Sequence, residues 1–380
     1  MGRLHGSRLL ACLGLPVILA GAACAQGPDD EAIGTLGDEI VGGENTTIAE
    51  HPWQIALTTS SGFQFCGGSI LNEEWVLTAQ HCVAGGDSDM RVVAGITRVS
   101  QQSSGQIRAI DGIATFPGFS DPAVGKDVSV VHLATPLDLS GANARAVDLV
   151  TPADSSAGAT SPGVVSTITG WGTLSSGGSS PDILQEVDIP LISNAAAQAA
   201  YTQENITADQ LGAGIIGVGG VDSCQGDSGG PLTVNFGGDT LLAGVVSWGY
   251  GCADPDFPGM YGRVSSFEPW ITARATGAFT RALSLTGLSG ARNSFTHRSV
   301  TVPSGALALS VIVRGGSGDA DLYVRRGSQP TTSQFDCRPF LNGNNEFCTI
   351  DAPAAGTWFV SLRAFRAYSG ASLTAAVITP

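Results

Sequence analysis

The chain has 380 residues, a formal net charge of −15, only 13% charged residues and 52 glycines. That length holds two domains of ordinary size, and the composition argues against long helices laced with ion pairs and for a loop-rich all-β protein. The charge is uneven: residues 40–275 carry 23 acidic against 7 basic side chains, and 276–380 carry 5 against 9. So acidic a main region excludes nucleic acid as a partner, because that affinity rests on neutralising phosphates. It keeps the protein soluble, and at low salt it steers cationic polypeptides toward the surface.

In chain order, Arg3 and Arg8 precede an apolar run over 9–23, and Ala23-Cys24-Ala25 offers a small-residue cleavage site. Residues 1–25 read as an export signal, and so as the mark of a secreted, extracellular protein. Gly14 and Pro16 break the run, which is too short for a stable membrane span. Lipid attachment at Cys24 is the minor alternative, with Gly21 where bacterial lipoprotein signals usually carry Leu. Residues 26–39 are polar, hold no Lys or Arg, and read as an activation pro-segment. From Ile40, short apolar runs at 53–57, 75–78, 128–133, 164–168 and 241–248 lie between Gly, Ser, Pro and Asp clusters. Many short strands with turn signals predict a sandwich or barrel. Residues 267–274 read as a closing helix. Beyond about Phe279, Leu307, Leu309, Val311 and Val313 alternate with smaller residues, as do Trp358, Val360 and Leu362, and Leu373, Ala375 and Val377. This period of two predicts half-buried strands. No internal repeat and no long linker is evident.

Four segments carry chemistry: Thr78-Ala79-Gln80-His81-Cys82, Lys126-Asp127-Val128, Gly226-Asp227-Ser228-Gly229-Gly230-Pro231 and Ile40-Val41-Gly42-Gly43. Alone, a Ser-Gly-Gly is usually a turn and a His beside Cys is usually packing. Yet a serine hydroxyl needs a base within hydrogen-bond reach to act as a nucleophile, and these segments supply both. In this order and spacing they resemble the chymotrypsin/trypsin family of serine endopeptidases, over 40 to about 274. The order His, Asp, Ser separates them from subtilisins and α/β-hydrolases. The resemblance implies two six-stranded antiparallel β-barrels over 40–275 with the active site between them. It makes Ser228 the nucleophile, His81 the base and later acid, and Asp127 the carboxylate that orients the imidazole; these roles are taken over from that family's own template. The N–H groups of Gly226 and Ser228 become the oxyanion hole.

The same resemblance puts Asp222 at the floor of a specificity slot, with Ser223 beside it and Ser247, Trp248, Gly249 and Gly259 as walls. A carboxylate there pairs with a guanidinium or ammonium, which implies polypeptide substrates cleaved after Arg or Lys through an acyl-enzyme. Ile40 begins the family's mature pattern, so cleavage before it is expected to free an ammonium that pairs with Asp227. Glu39 precedes Ile40. An enzyme that cuts after Arg or Lys does not activate itself at that bond, which calls for a separate, acidic-specific activating protease. With Cys12 and Cys24 set aside, the remaining cysteines fall into pairs local in the sequence: Cys66 with Cys82, Cys224 with Cys252, and Cys337 with Cys348. The first two match bridges of the resembled family. No Cys/His cluster has zinc spacing, and no metal or cofactor is expected.

Some positions depart from the family. Gln80 replaces the usual Ala, and either crowds the cleft or hydrogen-bonds around the histidine. Ser166 and Ala197 stand near cysteines of animal relatives, and each such bridge contributes roughly 2–4 kcal/mol, so packing replaces them or the domain is less rigid. The stretch 95–111 lacks the acidic pair that binds calcium in vertebrate trypsins. His51 and His132 read as structural or surface histidines. In the tail, Gly318-Asp319-Ala320-Asp321-Leu322-Tyr323-Val324-Arg325, followed by Gly356-Thr357-Trp358-Phe359-Val360, resembles the bacterial pre-peptidase C-terminal domain, a small β-sandwich here expected over 279–380. Asp319 and Asp321 read as a turn and strand start, with a calcium site there as the minor alternative. Tyr323, Phe340, Trp358 and Tyr368 read as exposed, which keeps a carbohydrate- or surface-binding tail open beside the peptidase reading. A catalytically silent scaffold is the other alternative; the chain is expected to be a monomer.

Overall fold

The apolar runs of the first half become six short strands that close on themselves. The computed structural model describes residues 40–84 and 89–380, so the expected export signal and pro-segment lie outside the described residues. The strands are β1 (Gln54–Thr58), β2 (Gln64–Ile70), β3 (Trp75–Thr78), β4 (Arg91–Ala94), β5 (Gln106–Thr115) and β6 (Ser129–Leu133), in the closed order β1-β2-β3-β6-β5-β4. Every residue of β1, β3 and β6 is buried, which is why they read as continuous apolar runs rather than as alternations. A short helix α1 (Gln80–Ala84) follows β3, and the Cys66–Cys82 bridge ties it to β2.

The second barrel consists of β7 (Val165–Gly170), β8 (Gln185–Ile192), β9 (Gln210–Ala213), β10 (Pro231–Phe236), β11 (Asp239–Trp248) and β12 (Gly259–Arg263). They run β7-β8-β9-β12-β11-β10, and β10 pairs back onto β7 to close the ring. Helix α2 (Val264–Ala275) follows, starting three residues earlier than the sequence suggests. Where bridges were expected to be missing, Ser166 Oγ donates to the Ile189 carbonyl at 2.7 Å and Ala197 packs with Tyr201 and Met260. No helix among the described residues is long and apolar enough to cross a membrane.

The tail holds β13 (Ala278–Gly290), β14 (Phe295–Val302), β15 (Ala308–Arg314), β16 (Ser317–Arg326), β17 (Glu346–Asp351) and β18 (Gly356–Thr379). β18 lies between β14 and β16 along its first half and between β13 and β15 along its second, so one long strand belongs to both layers of a sandwich. Leu309, Val311, Leu322, Val360 and Leu373 fill the space between the layers. The Cys337–Cys348 bridge is formed, as is Cys224–Cys252 in the second barrel. Gly318 allows β16 to start against β18: its φ is +94°, and a Cβ there would lie 2.1 Å from the Ala367 carbonyl oxygen.

Two expectations about the tail are corrected. β15 is buried on both faces rather than half-buried, because Ala308 and Ile312 join the core of the first barrel while Leu309, Val311 and Val313 face the tail's own. Tyr323, Trp358 and Tyr368 are buried, Trp358 and Tyr368 in the core between the layers and Tyr323 on the other face of its strand beneath Phe295, Phe335 and Arg338; of the aromatics read as exposed only Phe340 is, at 54%.

The tail covers an edge that the barrel leaves open. The outer edge of β5 beyond Ile110 has no strand partner, and there the Ile113 N–H donates to Ser310 Oγ at 2.9 Å while its carbonyl accepts from Thr349 Oγ1 at 2.7 Å. Phe279 stacks on His132 with ring centroids 3.6 Å apart and meets Trp75 edge-on. Gly112 admits that ring, since a Cβ there would lie 2.4 Å from it. Asp111 pairs with Arg281 of the tail and with His132 Nδ1 at 2.6 Å. Burial alone pushes its carboxyl up, but His132 and Arg281 outweigh that and hold it below the ordinary carboxylate range. Asp351 pairs with Arg274 and accepts from Trp270 Nε1 at 3.1 Å.

Candidate active site

Strand register brings the base and its carboxylate together. β3 and β6 are antiparallel with Thr78 opposite Ser129, so the residues just after β3 and just before β6 leave the barrel at the same end. His81 lies in α1 and Asp127 two residues before β6, and His81 Nδ1 sits 2.7 Å from Asp127 Oδ2. Asp127 Oδ1 accepts the backbone N–H of His81 at 2.9 Å, and Oδ2 also accepts Ser247 Oγ–H at 2.6 Å. A carboxylate that only accepts is thus met by donors from α1 and β11, which favours the tautomer with the proton on Nδ1 and frees Nε2 to act as a base. Asp127 is buried, whereas the His81 side chain is 26% exposed.

Ser228 comes from the other barrel. It lies within the tight turn from Asp227 to Gly230 before β10, and its carbonyl accepts the Gly67 N–H of β2 at 2.8 Å, which ties this turn to the first barrel. Gly229 has φ +79°, and a Cβ there would stand 2.2 Å from Thr78 Oγ1, so only glycine lets the turn come this close. Two neighbouring peptides are held by their carbonyls. The Gln225 carbonyl accepts the Thr173 N–H at 2.7 Å, and the Asp227 carbonyl accepts the Gly230 N–H at 2.8 Å. In a trans peptide the N–H points opposite the carbonyl, so the N–H groups of Gly226 and Ser228 are both set by these anchors. Gln64, which the sequence reading did not single out, fixes the next peptide by donating to the Gly226 carbonyl at 2.8 Å.

Behind Ser228 opens a slot of about 150 Å³ lined by Asp222, Ser223, Ser228, Ser247, Trp248, Gly249 and Gly259 among others. Gly259 is a structural requirement, since a Cβ there would lie 2.5 Å from Asp222 Oδ1, whereas a Cβ on Gly249 would make only ordinary contacts, 3.7 Å from the Tyr201 hydroxyl and 3.9 Å from the Gly259 Cα, and would narrow the slot. Asp222 is buried at the floor, where its Oδ1 accepts the Ser223 N–H at 2.8 Å and its Oδ2 accepts the Ala253 N–H at 3.1 Å. Burial pushes its carboxyl up to about 7 despite those two donors, with the nearby Asp227 charge adding to the rise. Two backbone donors therefore do not offset the burial of the carboxylate at the floor of the slot. Burial beside these acids also pushes the Tyr261 phenol far up, so it stays protonated, and its oxygen lies 3.3 Å from Ser223 Oγ. Ser247 does two jobs: expected only as a wall, it also holds Asp127.

Ile40 is fully buried in the core of the second barrel, and the Val41 carbonyl accepts the Asp222 N–H at 3.2 Å. Asp227 is buried beneath Ser228, accepting the N–H groups of Gly172 at 2.7 Å and Cys224 at 2.9 Å. Burial raises its carboxyl to about 6. Gly170 and Gly172 make the room for it, since a Cβ on either would lie within 2.3 Å of a carboxylate oxygen. Gln80 Oε1 is buried without a partner, so that oxygen neither hydrogen-bonds the histidine's surroundings nor reaches water. His51 pairs with Glu186, away from the cleft. The single group of described metal-ligand side chains that converge, Cys66, His81 and Cys82, has two of its sulfurs committed to a disulfide.

Comparison with known proteins agrees with this geometry. The trypsin family model matches residues 40–271, and that of the bacterial pre-peptidase C-terminal domain matches 298–364. Trypsin-1 of Astacus astacus is 41% identical over 244 residues, covering 62% of this chain and 100% of that protein. Serine protease 1 of Rattus norvegicus is 39% identical over 267 residues, covering 68% and 96%. A trypsin of Saccharopolyspora erythraea is 38% identical over 229 residues, covering 60% and 94%.

Proposed function

The chain belongs to the trypsin family of serine proteases, and from that membership and the geometry above we propose a secreted endopeptidase, made as a zymogen, that cleaves after Arg or Lys. The observation that carries this reading is the hydrogen-bonded chain His81–Asp127–Ser247, whose Ser247 lines with Ser228 one slot floored by buried Asp222. Ser228 Oγ attacks the scissile carbonyl while His81 Nε2 takes its proton. Asp127 holds the imidazole and stabilises the imidazolium that forms. The developing oxyanion is met by the N–H groups of Gly226 and Ser228, and one such donor typically contributes about 10²–10³ in turnover. His81 returns the proton to the leaving amine, the acyl-enzyme forms on Ser228, and water resolves it by the same route in reverse. The Asp222 carboxylate selects the substrate: a guanidinium or ammonium in the slot restores the cation that burial makes it need.

The zymogen reading rests on Asp227. Two N–H donors do not offset its burial, and a freed Ile40 ammonium provides the missing cation. Breaking such a buried pair typically costs about 3–5 kcal/mol, enough to disorder the adjoining turn and slot. Because Glu39 precedes Ile40, the expected activator cuts after an acidic residue. The test uses pure proenzyme, a chromogenic peptide panel and N-terminal sequencing. Proenzyme alone is expected to be inactive, and a glutamyl endopeptidase that exposes Ile40 to switch on hydrolysis of Arg and Lys peptides. Preference for Phe or Ala would refute the slot assignment, and spontaneous activation with Ile40 at the new terminus would refute the activation route.

A further inference from the structure

The tail carries a cavity of about 310 Å³ on the exposed side of its sandwich, lined by Asp319, Asp321, Phe340, Leu341, Asn342 and Phe365. Its walls are aromatic and its floor is acidic. Phe340 and Phe365 are both exposed, and their rings meet at 90° with centroids 6.3 Å apart. Asp319 is 7% exposed, yet its Oδ1 is buried with no hydrogen-bond partner. An orphaned buried carboxylate oxygen is costly, and native proteins seldom keep one without a ligand or a role.

The neighbouring groups do not meet this need. Glu346 spends both oxygens on the N–H groups of Leu322 and Leu341. Arg363 reaches Asp321 at 3.4 Å, and Arg338 acts on the same carboxylate from above Phe340. Arg338 also reveals what these rings accept: its guanidinium carbon lies 3.6 Å from the Phe340 ring centroid. Flat, weakly hydrated guanidinium stacks on aromatic faces while its N–H fork reaches a carboxylate. A divalent metal suits the cavity poorly, because no three carboxylate, His or Cys donors converge here among the described residues.

We propose that this cavity is a second recognition site, separate from the cleft, that binds the guanidinium of an arginine side chain on a polypeptide, with Asp319 as its anchor and Phe340 and Phe365 as its walls. The site stands without the specificity reading, since its chemistry selects a guanidinium whatever the cleft cleaves. The test uses the full chain carrying Ser228→Ala and Asp222→Ser, so that the cleft neither cleaves nor holds arginine. The probe is a fluorescein-labelled peptide of four D-arginines, followed by anisotropy at about 0.15 M salt. A peptide with citrulline at each position keeps the shape and removes the charge. Phe365→Ala, at an exposed ring, and Asp319→Asn are each expected to weaken arginine-peptide binding at least about tenfold. Asp239→Asn, which removes an equal charge from the second barrel, is expected to change it less than about twofold. Equal binding of the citrulline peptide, or equal loss in Asp239→Asn, would mean diffuse attraction and overturn the proposal. So would unaltered binding in Phe365→Ala, absence of binding to the parent protein, or displacement of the peptide by calcium that itself binds through Asp319.

Discussion

Two histidine–aspartate pairs sit at opposite ends of the same strand ladder. At one end of β3 and β6, Thr78 faces Ser129 and the chain beyond supplies His81 and Asp127, 2.7 Å apart. At the other end Trp75 faces His132, which lies 2.6 Å from Asp111. The two pairs use the same atoms, Nδ1 and a carboxylate oxygen. They differ in what surrounds them. The side chain of His81 is 26% exposed and its neighbour Cys82 lies 3.4 Å from the Ser228 carbonyl, whereas the side chain of His132 is 3% exposed and roofed by Phe279. The third partner differs too: a neutral Ser247 hydroxyl on Asp127, a charged Arg281 on Asp111. A His–Asp pair is therefore a generic device. Open to a nucleophile and substrate it moves a proton; sealed by a ring and a guanidinium it fastens one region to another.

The largest expected effect breaks this comparison at its active end. His81→Ala and Ser228→Ala are each expected to lower turnover on the order of 10⁶-fold, with the double variant no worse than either single one, because groups that act as a unit are non-additive. His132→Ala is expected to keep turnover within about tenfold and to lose stability instead. Near-normal turnover in His81→Ala, measured on a chromogenic peptide, would reverse the assignment of the two pairs.

Next in size is the slot. Asp222→Ser is expected to lower kcat/KM on Arg peptides by roughly 10²–10³, the cost of an unpaired charge in a buried site, and to move preference toward uncharged residues. Its pH dependence has a definite sign. The Asp222 carboxyl of the free enzyme sits at about 7, above its unfolded range, so below about pH 7 it is protonated and holds a cation poorly. KM for Arg peptides is therefore expected to rise as pH falls through 7, and that limb to vanish in Asp222→Ser. By the same linkage, the protonated carboxyl favours the free fold at low pH, and this contribution is lost as pH rises toward and through 7. A pH-independent KM in the parent enzyme would remove the slot's charge from the account.

The fastened end is expected to show smaller effects. Phe279→Ala and Arg281→Ala should each cost about 1–3 kcal/mol in chemical denaturation, since each leaves a half-buried contact or the Asp111 carboxylate less well paired. Asp111 is held below the ordinary carboxylate range, so its contribution is present above the unfolded value near 4 and lost as pH falls through the folded value. Asp111→Asn is expected to flatten that acid limb, and an unchanged limb would mean that other carboxylates govern it. The smallest effect is expected at Gln80: removing its unpartnered buried oxygen with Gln80→Ala should leave stability unchanged or raise it by about 1 kcal/mol.

Much of the active end was legible in the sequence because its chemistry is local. The segments around His81, Asp127 and Ser228 suggest the proposed roles once their order is seen, and most apolar runs became strands within one or two residues of their expected bounds. Three contributors left no such signal. Gln64 looks like any polar residue of a strand, yet it fixes the Gly226 peptide. Ser247 looks like a slot wall, yet it holds Asp127. Asp111 sits in a stretch read only for what it lacks, yet it anchors the tail.

What the sequence determined by itself is therefore the set of strands, their order and the candidates for the reactive groups, since a period of two, a turn residue or a motif is written in neighbouring positions. What only the tertiary structure decided is which surfaces meet. Period two tells one face of β15 from the other, but both are covered, one by its own sandwich and one by the first barrel. Nothing in the spacing of Leu309, Val311 and Val313 says what lies against Ala308 and Ile312. Burial of a strand's second face, the closing of Phe279 over His132 and the depth of Asp222 all depend on residues more than twenty-five positions away. Such contacts form only when the chain has folded, and the same His–Asp chemistry then becomes either a site or a fastening.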